Sequence, residues 1–145
     1  MFFLKELPTQ AMINRYSEDY FPERSEDVAK KLQGLREYST LIRKLEDYFA
    51  SHNLSQLRFL VMMVIDREPD RDHLFAHEIT ERLDVSKPVL SRAIKKLIAA
   101  SLLSSKKDKQ DARAVLLSLT PTSKELLRSI LPGYFDILSA QSHSV

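Results

Sequence analysis

The sequence predicts a mostly α-helical chain with one small β-hairpin, and three observations carry that prediction. Apolar residues recur at helical spacing through most of the 145 residues. Only two glycines are present, which disfavours a turn-rich all-β fold and any glycine-rich phosphate loop. The one clear period-two stretch is short, placing Val115, Leu117 and Leu119 on a common face near the C-terminal end.

Along the chain, Thr9 is an N-cap for a short helix over residues 9–20, with Pro8 just outside it and Pro22 closing it. A long helix follows from about residue 23 to 51. Its stripe of Val28, Leu32, Leu35, Ile42, Leu45 and Phe49 is broadened by Tyr38 and Leu41. Gly34 inside it costs roughly 1 kcal/mol relative to alanine, so packing must hold this helix. His52-Asn53 breaks it. Residues 54–65 (LSQLRFLVMMVI) are apolar nearly all round, the mark of a buried central helix. The next segment, DREPDRDH, reads as a charged loop.

Two short helices come next, at residues 76–83 and 86–100, joined by a tight turn at Asp84-Val85. Ser86 stands at the N-cap of the second, with Pro88 in its first turn, where a missing N–H does no harm. Helices joined so closely form a helix-turn-helix pattern. Strands over residues 102–106 and 114–119 flank a hairpin tip, KKDKQDA. A last helix is expected from Thr122, with Thr122 and Glu125 as a capping box and a kink or break at Pro132-Gly133.

The charge is unevenly spread. Residues 86–113 hold eight basic and two acidic side chains, a net +6, whereas the remainder holds 14 basic and 18 acidic, a net −4. The formal +2 of the whole chain therefore conceals a basic helix beside a basic hairpin. That arrangement suits a polyanion, because each neutralised phosphate releases condensed counterions. On the second short helix Leu90, Ala93, Ile94, Leu97 and Ile98 point inward, leaving Lys87, Pro88, Ser91, Arg92, Lys95 and Lys96 outward. Arginine or lysine there can reach guanine O6 and N7, and serine can reach phosphate. For a lone helix the plainer reading is a solvated face. The helix-turn before it and the basic hairpin after it favour double-stranded DNA.

Two stretches, HEITERLDVSKPVLSRAIKKL and DARAVLLSLTPTSKELL, carry a resemblance. Over residues 54–127 the chain resembles the MarR (multiple antibiotic resistance regulator) family of winged helix-turn-helix transcription regulators. The resemblance implies a recognition helix comprising Ser86, Lys87, Pro88, Ser91, Arg92 and Lys95. It implies a wing carrying Lys106, Lys107 and Lys109, with Arg113 entering the minor groove and Asp111 orienting it. A narrow minor groove attracts an inserted guanidinium; a salt bridge closing the hairpin is the alternative use of that pair. The chain departs from the family pattern at Ser101 and Ser123, where glycine is usual, and at Ser105, where a basic residue is common. Ser101 is expected to take a left-handed cap at some cost.

Ten of the twelve Phe and Tyr lie before residue 50 or after residue 133. Phe2, Phe3, Tyr16, Tyr20 and Phe21 at one end, and Tyr134 and Phe135 at the other, exceed what two arms can bury alone. The resemblance implies a homodimer whose terminal helices interlock; a monomer using these aromatics internally is the alternative. His73 and His77 have the i,i+4 spacing of a helical metal chelate, but no third ligand is evident, so no metal or resident cofactor is expected. No nucleophile elbow, P-loop or HExxH pattern occurs, so no enzyme is expected. The absence of cysteine excludes disulfides and thiolate metal sites. The opening MFFLKELP is too short for a secretory apolar region, and no apolar run spans a bilayer, so a cytoplasmic location is expected.

The sequence therefore predicts residues 1–53 as a dimerisation arm, 54–120 as a winged helix-turn-helix DNA-binding lobe and 121–145 as a second dimerisation helix. The function expected is that of a homodimeric regulator, acting as a repressor on a near-palindromic operator, with a small aromatic effector implied by the resemblance. The alternative is a winged-helix module whose basic face docks an acidic protein.

Overall fold

A computed structural model describes residues 2–111 and 113–140. The chain divides into two compact units, residues 1–45 and 46–145. Six helices and three strands are described: α1 (Gln10–Tyr20), α2 (Ser25–Ser51), α3 (Gln56–Asp66), β1 (His73–Phe75), α4 (Ala76–Arg82), α5 (Lys87–Ala99), β2 (Leu103–Lys107), β3 (Val115–Leu119) and α6 (Pro121–Ser139). The mostly helical class with a small antiparallel sheet is as the sequence predicts.

In the first unit, Thr9 caps α1 by accepting from the Met12 amide. α2 begins after Glu23, which adopts a left-handed φ of 68°. Its apolar stripe is only partly covered: Leu45 is buried, but Leu35, Tyr38 and Ile42 are exposed, as are Phe3, Tyr16 and Tyr20.

In the second unit the end of α2 packs Phe49 face to face on Phe59 of α3, ring centroids 4.4 Å apart. Tyr134 of α6 closes this cluster at 4.8 Å from Phe59, so it packs within the chain, whereas Phe135, edge-to-face with Tyr134 at 5.1 Å, stays exposed. α3 contributes Phe59, Val61, Met62, Val64 and Ile65 to the core, which is the burial its all-round apolar sequence requires. Its N-cap Ser55 accepts from the Arg58 amide, and Asn53 makes the preceding turn at φ 58°.

The sheet order is β1-β3-β2, all antiparallel. β1 is a strand the sequence does not predict, and only its first residue, His73, falls in the expected charged loop. Its three residues pair His73 with Ser118, Leu74 with Leu117 and Phe75 with Leu116, and Leu74 is fully buried. α6 also starts earlier than expected. Its N-cap is Thr120, not Thr122, and Pro121 takes the first helical position. Thr120 accepts from the Ser123 amide while Ser123 Oγ accepts from the Thr120 amide. The box is therefore Thr120 with Ser123 rather than Thr122 with Glu125. The helix runs on through Pro132 and Gly133 without interruption. There the Tyr48 hydroxyl donates to the Ile130 carbonyl at 2.8 Å, and its ring lies where a Cβ on Gly133 would be. Glycine at that position is what admits the phenol.

Candidate nucleic-acid interface

α4, the turn at Asp84-Val85 and α5 form the helix-turn-helix. Pro88 sits in the first turn of α5 and Ser86 at its N-cap, although the Ser86 side chain makes no capping bond. Leu90, Ala93 and Leu97 anchor α5 in the core. Ile98 does not join them, being 38% exposed, so the inward face is narrower than its spacing suggests. Ser86, Lys87, Pro88, Ser91, Arg92 and Lys95 are all exposed, as is Lys96. Val89 is exposed beside them, and sequence reasoning left it out of the site.

α5 ends with Ser101 at φ 59°. The Leu102 amide donates to the Leu97 carbonyl and that of Ser101 to Ile98, which closes the helix as a left-handed cap with serine in the place glycine usually fills. From there β2 leads into the hairpin. Only Leu103 of its five residues is buried; Ser105, Lys106 and Lys107 are exposed, and Lys109, Asp111 and Arg113 follow at the tip, also exposed. The Asp108 amide bonds the Ala114 carbonyl across the hairpin. Asp111 meets Arg113 through the backbone: its Oδ1 accepts the Arg113 amide at 3.0 Å. Among the described residues no ion pair joins the two side chains, so the carboxylate shapes the turn and the guanidinium points to solvent.

The ion pairs lie elsewhere. Arg71 forms a two-pronged pair with Glu78, at 2.9 and 2.7 Å, and Arg82 bridges Glu68 at 3.0 Å and Glu78 at 3.5 Å. Glu78 Oε1 also accepts the Phe75 amide. The Arg71 guanidinium and that amide hold the Glu78 carboxyl at about 2. This network ties the loop after α3 to α4 and fixes the first helix of the motif. Only the Glu78–Arg82 spacing hints at it in the sequence. Among the described residues, no basic side chain of α5 or the hairpin lies in an ion pair. Their charge is left for something outside the fold.

The histidine pair does not make a helical chelate. His73 lies on β1, with Nδ1 3.0 Å from Asp72 Oδ1, and His77 in α4 stacks on Phe75 at 5.5 Å. The bond to His73 holds the Asp72 carboxyl below its usual range. Among the described residues no group of three metal-ligating side chains occurs, and no helix is long and apolar enough to cross a membrane.

The MarR family profile matches residues 52–114, which contain α3, the helix-turn-helix and most of the hairpin. Over those residues the chain is similar to the MarR family. That is a family of transcription regulators, not enzymes. A curated relative, the HTH-type transcriptional repressor YetL of Bacillus subtilis, is 26% identical over 137 residues, covering 94% of this chain and 81% of its own. Among solved structures, AbsC, a MarR family transcriptional regulator from Streptomyces coelicolor, superposes with a TM-score of 0.69 at 16% identity, over 92% of this chain and 79% of that one. BpsR of Bordetella bronchiseptica, whose DNA binding is regulated by 6-hydroxynicotinic acid, gives 0.66 at 19% identity, over 87% and 84%. These structural likenesses show a MarR-type winged-helix fold.

Proposed function

We propose that this chain is a homodimeric, cytoplasmic repressor of the MarR type that binds a near-palindromic operator and is released by a small aromatic effector. The observation that carries the reading is the set of exposed cations on α5 and the adjoining hairpin that form no ion pair among the described residues, while the acid-paired arginines are gathered on α4 and the loop after α3. A two-fold dimer offers two recognition helices to successive major grooves, so its half-sites fall about one helical turn apart. Repression is supported by the likeness to YetL, and effector release by the likeness to BpsR. An effector acts through its different affinity for DNA-competent and DNA-incompetent states.

Assembly as a homodimer is supported by apolar side chains left uncovered in each unit. Phe3 is 84% and Tyr20 72% exposed in the first, and Phe135 55% in the second. Leu35, Tyr38 and Ile42 add an exposed apolar row along α2, and contiguous apolar surface of this kind marks an association site. The test is an electrophoretic shift with DNA from the protein's own promoter, at salt high enough to suppress non-specific binding, alongside sedimentation of the full chain and of a chain lacking residues 1–21. Specific retardation by a dimer, with the truncated chain dissociating, is the expected result. Binding indifferent to sequence would favour the acidic-protein module instead.

A further inference from the structure

Val89 stands out on the DNA-facing side of α5. It is 37% exposed, and its near neighbours on the outer face are Lys87, Pro88, Ser91 and Arg92, also exposed. Valine is a poorer helix former than alanine, lysine or arginine, because its branched Cβ loses rotamer freedom against the preceding turn. With over a third of its surface left in water, Val89 returns only part of that loss as packing inside the fold. A residue that breaks a local preference without a compensating gain inside the fold points to a role outside it.

Its position says what that role is. Val89, Arg92 and Lys96 fall at i, i+3 and i+7, one row along the helix. Along α5 the step from Val89 to Arg92 is about 4.5 Å, close to the separation of neighbouring base pairs, about 3.4 Å. A helix seated in the major groove with Arg92 over a guanine therefore brings the valine methyls over an adjacent base pair. The apolar group that the four bases present in that groove is the 5-methyl of thymine. We infer that Val89 is a specificity-determining residue that packs on a thymine 5-methyl group next to the base pair read by Arg92. The inference rests on the operator-binding reading above and adds to it the identity of one base in each half-site.

The experiment uses the full chain. A consensus duplex is selected from a random pool at elevated salt, and each thymine in it is replaced singly by deoxyuridine, which removes the methyl and leaves base pairing intact. Affinities are measured for wild type, Val89→Ala and Val89→Thr. At one thymine of each half-site, uracil should weaken wild-type binding about fourfold, the worth of one buried methyl-sized group. Val89→Ala should bind the thymine and uracil duplexes equally, whereas Val89→Thr, which keeps one methyl, should retain part of the discrimination. An identical uracil penalty in wild type and Val89→Ala, with a consensus selected, overturns the role of Val89 and leaves operator binding standing. Selection of no consensus at all overturns both.

Discussion

The Thr120 hydroxyl donates to the Ser101 carbonyl at 2.8 Å while accepting the Ser123 amide at 3.1 Å. One side chain thus joins the exit of α5 to the start of α6. The hairpin lies between these two residues, so the bond closes its base. Ser123, fully buried, completes the cap from beneath. Replacing Thr120 with valine keeps the shape and removes both bonds, and loss of an N-cap costs about 1 kcal/mol. The expected outcome is an unfolding free energy, measured by urea titration, lowered by that amount. Ser101→Gly should act the other way, because glycine takes φ 59° without the Cβ penalty. It should stabilise by a few tenths to about 1 kcal/mol. An unchanged or lowered midpoint for Ser101→Gly would show that the left-handed cap is not strained.

The Glu78 network makes stability depend on acid. The folded carboxyl titrates at about 2 against an ordinary value of 4.5, so the folded state favours the charged form. A depressed carboxyl adds stability that is fully present above 4.5 and fades as pH falls from there towards 2. Glu78→Gln removes the titrating group. Urea unfolding of both proteins across a pH series should show a constant gap above 4.5 that narrows below it. A gap of the same size throughout would mean that the pairs with Arg71 and Arg82 contribute nothing to folding.

Much of this architecture is legible in the residues. The buried α3 follows from LSQLRFLVMMVI, the helix-turn-helix from two short amphipathic runs, and the strained cap from serine in a glycine's place. What escaped has physical reasons. β1 is three residues long and pairs with residues more than forty positions away, so no local period announces it. The α6 start offered two threonines, and Pro121 at the first helical position decides between them. The Arg71–Glu78 pair spans a strand and a helix start, a separation that helical spacing rules do not reach. On α5, spacing places Ile98 inward although it is exposed, and it assigns Val89 to neither face.

Arg113 tests the hairpin. Its backbone is held by Asp111, and its exposed side chain is unpaired among the described residues. Arg113→Ala should weaken specific binding by on the order of 1–3 kcal/mol, as for a lost groove contact, without altering the fold. Fluorescence anisotropy with a labelled operator at matched salt measures this. Unchanged affinity would remove the residue from the interface.

The two groups of cations should differ in what they read. Arg92 projects from the N-terminal half of α5, where base edges come within reach, whereas Lys107 lies at the end of β2, where phosphate is the stronger partner. Phosphate contacts act alike on every sequence, and each adds about 0.9 to the slope of log affinity against log salt. Base contacts discriminate between sequences. Arg92→Ala should therefore shrink the ratio of operator to scrambled-duplex affinity. Lys107→Ala should lower both affinities together and flatten the salt dependence by roughly one unit. Measuring both variants on both duplexes across a salt series separates the roles. Equal losses on both duplexes for Arg92→Ala would mean that α5 recognises the backbone and not the bases, and sequence preference would then have to arise from DNA shape at the hairpin.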